Sequence, residues 1–328
     1  MVQLVALFLI SSGPSLALFY CPEGFIGISG RTCERTDMHI TVCPYCGSKS
    51  ARKWYADGGD PVNRCFECDL IYRERSDNEK SWNEYYRKQY FQDFAEEQGG
   101  VLRASIYEEA LEIIGRNTVP GSLFDIGAGS GTFLAMAKEK GWSVTGQEIS
   151  AGCCRVAREK YGLELIQKEL NTLCLPSNAF DAVTMINVFD HLVEPWLLLG
   201  DIHRSLKTGG ILYIRVPNGS LHGIGYRFSS IVPRGYLRDK VQKFFVLHRY
   251  HVTPRFIRTL FGHYAFKPVV IRPSTVSKDV PYRHFKRDER FILMVLKKAL
   301  PPFARTLCRA SGGAVVLSPS LSIYGIKG

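Results

Sequence analysis

Between residues 118 and 276, short apolar runs alternate with segments whose apolar positions recur at helical spacing. "SLFDIGA" reads as a strand and "GTFLAMAKEKG" as a helix stopped by Gly141. "WSVTGQEI" is a strand, "AGCCRVAREKYG" a helix, and "LELIQ" a short strand. "FDAVTMINV" is a strand, "EPWLLLGDIHRSLKTGG" a helix and "ILYIRVP" a strand. "TPRFIRTLFGHY" then reads as a helix, and "FKPVVIRPS" and "SPSLSIYGIKG" as strands. Alternation of this kind predicts a parallel sheet with helices on both faces. Right-handed crossovers make it doubly wound. The expected fold class is therefore α/β and Rossmann-like, with a mostly parallel, seven-stranded sheet.

The flanks read differently. Residues 76–117 are helical in pattern: "NEKSWNEYYRKQYFQDFAEE" is polar with recurring aromatics, and "LRASIYEEALEIIG" is amphipathic. Residues 38–75 form a small cysteine-rich module. Residues 277–328 hold a basic insertion before the final strand. Residues 1–37 have an apolar centre but no Lys or Arg before Arg31, so the basic start of a signal peptide is missing. Met38 opens a compact segment, and the expectation is that residues 1–37 are an upstream extension. No apolar run reaches the roughly 18 residues needed to cross a membrane.

Composition places the 328-residue chain among ordinary globular proteins, with 45% hydrophobic and 22% charged residues. Its net charge of +11 is unevenly spread. From Leu221 onward the chain holds 20 of the 42 Lys and Arg but 4 of the 31 acids. A basic third of this kind fits an anionic partner: a phosphate-bearing small molecule, a nucleic acid or a membrane surface. The insertion segment "RFILMVLKKALPPFARTLCRA" is amphipathic and fits packing as a helix, capping a pocket, or peripheral contact with an anionic membrane.

Four of the ten cysteines stand in "CPYC" and "CFEC", as Cys43, Cys46, Cys65 and Cys68, with 18 residues between the pairs. That spacing fits a zinc ribbon, in which two knuckles supply four thiolates to a closed, structural Zn2+ site. Thiolate ligands imply a reducing compartment, hence a cytoplasmic protein. A ribbon of this size draws its folding energy from the metal, so a chelator is expected to unfold it first and leave the rest folded.

"LFDIGAGSGTF" places three glycines, Gly127, Gly129 and Gly131, at alternate positions after Asp125, with Ala128 among them. The dinucleotide fingerprint would put its third glycine where Thr132 stands, and the phosphate loop needs a Lys after Gly131. Neither fits. The glycines still admit close backbone approach to a ligand beyond the carboxyl ends of the strands. An anion at Asp125 is unfavourable beside a pyrophosphate and favourable beside an ammonium group. S-adenosylmethionine (SAM) has no phosphates and carries an ammonium.

Over residues 80–328 the chain resembles class I SAM-dependent methyltransferases. "LFDIGAGSGTF", "VTGQEIS" and "LPSNAFDAVTMINVFDHLVEPWLLLGDIHRSLKTGGILYIRVPN" carry the resemblance, in order. It implies that Glu148 accepts the ribose hydroxyls, for which two carboxylate oxygens are well suited. It also implies that Asn187 lines the methionine end, that Glu169 and Leu170 contact the adenine, and that Arg103 reaches the cofactor's carboxylate. The common Asp before "LP" is absent here. With its ribbon, the chain is similar to bacterial small-molecule and sugar methyltransferases. It resembles more distantly the ribosomal RNA methyltransferases with a zinc module, which usually carry a histidine as fourth ligand.

For an acceptor hydroxyl, a general base helps transfer. His191, after the fourth strand, is the first candidate, and His248 and His251 in "LHRYHVTP" are further ones. The expected acceptor is a small anionic metabolite such as a sugar nucleotide. The alternatives are RNA, held by the ribbon and the basic third, and a non-catalytic SAM-binding role.

Overall fold

The computed structural model describes residues 42–57, 60–73, 84, 103–229, 249–275, 306–311 and 316–328. Residues 1–37, the aromatic-rich stretch before Arg103, His248 and most of the basic insertion lie outside the described residues. The described strands are β1 (Ala51–Asp57), β2 (Asp60–Cys65), β3 (Ile71–Arg73), β4 (Ser122–Ile126), β5 (Ser143–Gln147), β6 (Phe180–Ile186), β7 (Leu206–Pro217), β8 (Tyr250–His251), β9 (Phe266–Pro273) and β10 (Ser320–Lys327). The described helices are α1 (Ala104–Gly115), α2 (Thr132–Glu139), α3 (Ala151–Tyr161), α4 (Leu198–Ser205), α5 (Gly219–Ser229) and α6 (Pro254–His263).

The main sheet runs in the order β5, β4, β6, β7, β10, β9. The β4–β5, β4–β6 and β6–β7 pairs are parallel, while β10 runs antiparallel to both β7 and β9. The chain order reverses direction between β4 and β6, which leaves a crevice at the carboxyl ends of those two strands. The sheet thus has six strands among the described residues rather than seven. "LELIQ" reduces to one parallel bridge between Ile166 and Gln147. The Ile166 carbonyl accepts the Glu148 N–H at 3.1 Å, then the Lys168 N–H at 3.0 Å, so the backbone turns away before a ladder can form.

The expected helix "EPWLLLGDIHRSLKTGG" divides. A 3-10 turn covers Pro195–Leu197, α4 ends at Ser205, and Leu206 already pairs with Phe180 in the sheet. Gly209, at φ 77°, takes a left-handed turn that a helix interior does not accommodate.

Side chains alternate across the sheet. Leu123, Ala182, Ile211 and Tyr213 face α1 and α2 through Ile106, Ile114, Phe133 and Leu134. Phe124, Ile126, Met185 and Leu212 face the other way, into a core that contains Phe256 and Ile257 of α6 and the cysteine module's Cys43, Cys65, Leu70 and Tyr72. A second, antiparallel sheet runs β1, β2, β3, β8. Its last strand belongs to the segment after α5, and Val252 just beyond it bridges to Asn218 at the end of β7. The cysteine module is therefore joined to the main domain by backbone pairing as well as by a shared core.

Candidate functional site

The glycine loop follows β4 at the crevice. Gly127, Gly129 and Gly131 have φ values of 69°, 55° and 77°, a region L side chains rarely occupy. Their surroundings differ. A Cβ on Gly127 would sit 2.5 Å from Val188, and one on Gly131 3.0 Å from the Ala157 Cβ of α3. A Cβ on Gly129 would meet no protein atom within 4 Å. Gly131 thus serves the packing of α2 on α3, while Gly129 faces open space. Ala128, between them, is buried and donates its N–H to the Gln147 carbonyl at 2.9 Å.

Glu148, at the end of β5, is buried. One carboxylate oxygen accepts the Gly129 N–H and the other the Ser150 N–H, each at 2.8 Å. Those bonds fix the carboxylate against the loop and leave each oxygen a further lone pair. Burial raises its pKa, against the lowering by these backbone donors.

Asp125 is 3% exposed and accepts the Thr184 hydroxyl at 2.6 Å. Thr184 stands at the same register on β6 as Asp125 on β4. Among the described residues no cation pairs with this carboxyl. Burial pushes its pKa up to about 7, with the nearby Glu148 charge adding to the rise and Thr184 opposing it.

Gln147, which the sequence did not single out, ties the loop to the segment after Ile166. Its side-chain oxygen accepts the Gly127 N–H at 3.3 Å and its amide donates to the Lys168 carbonyl. That bond holds the segment leading to Glu169 and Leu170, which begin a 3-10 turn and are both partly exposed. Asn187, directly after β6, is left-handed at φ 58° and accepts a hydrogen bond from the Arg215 guanidinium on its Oδ1. Arg103 caps the start of α1, its carbonyl accepting the N–H groups of Ile106 and Tyr107. Burial lowers the pKa of Arg215.

His191 ends the 3-10 turn Phe189–His191 after β6 and is partly exposed, its Nε2 3.9 Å from Asp190 Oδ2. His251 is buried in β8 opposite Ile71, with Gly219 pressed against its backbone. A third histidine, His222 on α5, bonds the Pro319 carbonyl through Nε2 at 2.8 Å, and burial lowers its pKa.

Cys43, Cys46, Cys65 and Cys68 converge, with all four sulfurs within 4.8 Å of one another. Cys43–Cys68 and Cys46–Cys65 sulfurs are each 3.6 Å apart. Sulfurs about 2.3 Å from a tetrahedral zinc stand roughly 3.8 Å apart, whereas a disulfide would bring two to about 2 Å. The two knuckles repeat one turn. Cys43 donates to the Ser48 carbonyl and accepts from the Gly47 N–H; Cys65 donates to the Leu70 carbonyl and accepts from the Asp69 N–H. Gly47 and Asp69 are both left-handed, at φ 68° and 65°. The Cys68 thiol bonded to Cys43 pushes the Cys43 pKa down to about 5, and burial pushes that of Cys46 up to about 11. The donor set fits a four-thiolate metal site.

Residues 124–214 match the family model described as a methyltransferase domain. Over these residues the chain carries a methyltransferase domain. It is 32% identical over 126 residues to a demethylmenaquinone methyltransferase of Thermus thermophilus, covering 35% of this chain and 57% of that protein. It is 29% identical over 120 residues to a malonyl-[acyl-carrier protein] O-methyltransferase of Serratia marcescens, covering 34% of this chain and 45% of that one. The chain therefore matches about half the length of these relatives. A chain from the Haloferax volcanii complex of the Trm112 methyltransferase activator with a methyltransferase shares the fold, with a TM-score of 0.51, 18% identity, and 74% and 97% of the two chains covered. The methyltransferase domain lies between the ribbon's two points of attachment, and the described site residues from Asp125 to Asn187 all fall inside it.

Proposed function

We propose that the chain is a SAM-dependent methyltransferase acting on a small, anionic acceptor of the sugar-nucleotide kind. The observation that carries the cofactor is Asp125: a buried carboxyl at the carboxyl edge of the sheet, beside the glycine loop, with a hydroxyl as its described partner. Desolvation of an ionised carboxyl is unfavourable unless a cation joins it, and an α-ammonium group meets that need. Bound SAM supplies an electrophilic methyl on a sulfonium. The chain's own residues bind and orient. Asp125 takes the ammonium, Glu148 the ribose diol, Asn187 and Arg103 the amino-acid end, and Glu169 with Leu170 the adenine. In this reading His191 accepts a proton from an acceptor hydroxyl, supported by its partial exposure just after β6.

The acceptor rests on other features. The two relatives are named for different acceptors, a demethylmenaquinone and a malonyl-acyl-carrier protein, so they do not fix one for this chain. The ribbon and the basic residues after Leu221 support an anionic one. The ribbon holds a structural zinc through its four cysteines, and such a thiolate site suits the cytoplasm. Among the described residues no helix is long and apolar enough to cross a membrane.

Calorimetry with SAM, S-adenosylhomocysteine (SAH) and NADH tests the cofactor. Binding of SAM and SAH without NADH is expected; NADH binding alone would replace this proposal with a dehydrogenase. Sugar nucleotides and RNA are then offered as acceptors across a salt series. RNA binding that weakens steeply with salt, with methyl transfer to RNA, would overturn the small-molecule acceptor.

A further inference from the structure

Arg215 is a charged residue near the carboxyl end of β7, in its apolar stretch "ILYIRVP", and it is 7% exposed. Burial of a guanidinium is unfavourable without partners, and Arg215 has an ordered set. Its Nε donates to Ser274 Oγ at 2.9 Å, one terminal nitrogen to Asn187 Oδ1, and the other to the Thr275 carbonyl at 3.4 Å. All three acceptors are neutral, and among the described residues Arg215 makes no direct ion pair. The nearest link to a carboxylate passes through Ser274, whose hydroxyl donates to Glu109 on α1 at 3.0 Å. The same Glu109 oxygen accepts the Thr275 N–H at 2.8 Å and the Ser322 hydroxyl at 3.1 Å. Ser322 in turn meets the Tyr213 hydroxyl at 3.0 Å. Three donors on one oxygen make Glu109 the fixed end of a relay from α1 across β10 and β7 to the turn after β6.

The other end of that relay is Asn187. Its backbone is pinned, since the Asn187 N–H donates to the Arg215 carbonyl at 2.9 Å and the residue is left-handed. Its carboxamide is pinned as well. A guanidinium only donates, so Asn187 must present its oxygen to Arg215, and its two N–H groups remain to be offered elsewhere. Such donors suit the cofactor's carboxylate and not its ammonium, which is left to Asp125.

We propose that Arg215, anchored through Ser274 to Glu109, is a positioning residue for the amino-acid end of the cofactor site, holding the Asn187 carboxamide with its N–H donors free for the ligand's carboxylate. The inference rests on the SAM reading above and deepens it. Arg215 does not touch the reacting atoms.

The test compares two ligands on the full chain by calorimetry. SAH has the amino-acid end; 5′-methylthioadenosine has the same nucleoside without it. Arg215→Met should weaken SAH by about tenfold or more, the scale of a lost charge-assisted hydrogen bond, and leave methylthioadenosine within about twofold. Arg215→Lys should recover part of the loss. Ser274→Ala and Glu109→Gln, which leave the strand's own side chain in place, should act on SAH in the same direction and keep the question decidable if Arg215→Met does not fold. Equal losses for both ligands, or unchanged SAH affinity in all variants, would overturn the role of Arg215 while the cofactor site stands. A wild-type chain that binds neither ligand would overturn the SAM reading and this inference with it.

Discussion

The Thr253 hydroxyl donates to the Asp69 carbonyl at 3.1 Å and, from the same oxygen, accepts the Phe256 N–H at 3.1 Å. One atom therefore caps α6 and holds the left-handed residue of the second cysteine knuckle. Around it, β3 pairs with β8, Arg255 donates to the Glu67 carbonyl, and the Tyr45 ring meets Trp196 at 5.5 Å and Phe256 at 5.1 Å.

That joint changes what metal removal should do. The sequence favours a ribbon that unfolds alone, but the described ribbon residues share a core and a sheet with the methyltransferase domain. Elemental analysis should find about one zinc per chain. A chelator should shift a single thermal transition of the whole chain downward, with SAH binding lost in step. Two separated transitions, with the SAH-stabilised one unmoved, would restore an independent ribbon. Thr253→Ala should lower stability by about 1–2 kcal/mol, the usual scale of an N-cap plus one hydrogen bond, with Thr253→Ser near wild type.

Asp125 predicts a pH dependence of binding. The folded carboxyl titrates near 7 because it is buried, and only its ionised form pairs with an ammonium. SAH affinity should fall by about tenfold from pH 7 to pH 5.5, and Asp125→Asn should bind weakly without that acid limb. Stability runs oppositely. An unfolded aspartate ionises near 3.9, so the folded state holds its proton to higher pH. The contribution of this group to the ligand-free chain is present below about 4 and is lost as pH rises to about 7. Ligand-free Asp125→Asn should therefore melt higher than wild type at pH 8. A lower melting temperature there would mean that an unseen cation already neutralises the site.

The glycines separate packing from binding. Gly131→Ala should mainly destabilise, because its Cβ would press on Ala157 in addition to the roughly 1–2 kcal/mol of a left-handed L residue. Gly129→Val adds a side chain in space that no protein atom occupies within 4 Å, so its larger effect should be loss of SAM binding. Thermal melts with and without SAH distinguish the two. A Gly129→Val chain that SAH still stabilises fully would place the ligand elsewhere.

Much of the sheet was legible because its strands are apolar runs punctuated by glycine: β4 and β6 fall where that pattern puts them, while β7 begins at Leu206, inside the segment that reads as helix. The convergence of the four cysteines was legible from spacing, whereas Glu148 stood out only through the resemblance. Other parts needed the fold. Thr184 is a single polar residue in "FDAVTMI" and gains meaning only when parallel register sets it beside Asp125. Arg215, Ser274, Glu109 and Ser322 come from four distant segments, so no local window unites them. Their one local signal is charge inside an apolar strand, as in "ILYIRVP". Strand β8 is two residues long and exists because β3 offers it an edge, a tertiary effect that propensity does not carry.

His191 is the last test. It ends a short 3-10 turn at the carboxyl edge of β6, one residue after buried Asp190, and is 26% exposed at its side chain. Exposure leaves a ligand able to reach it, which the buried His251 and His222 do not offer in the same degree. An imidazole there can receive a hydroxyl proton as the new bond to oxygen forms. His191→Ala should lower single-turnover transfer by roughly 100-fold while leaving SAH affinity within about twofold. His191→Gln, which keeps a hydrogen-bonding side chain but cannot take a proton at neutral pH, should be as slow as the alanine variant. His251→Ala should instead lower stability, since its place is the sheet between ribbon and α6. Equal single-turnover rates for wild type and His191→Ala, with SAH binding intact, would remove His191 from the chemistry and leave alignment of acceptor and methyl as the source of the rate.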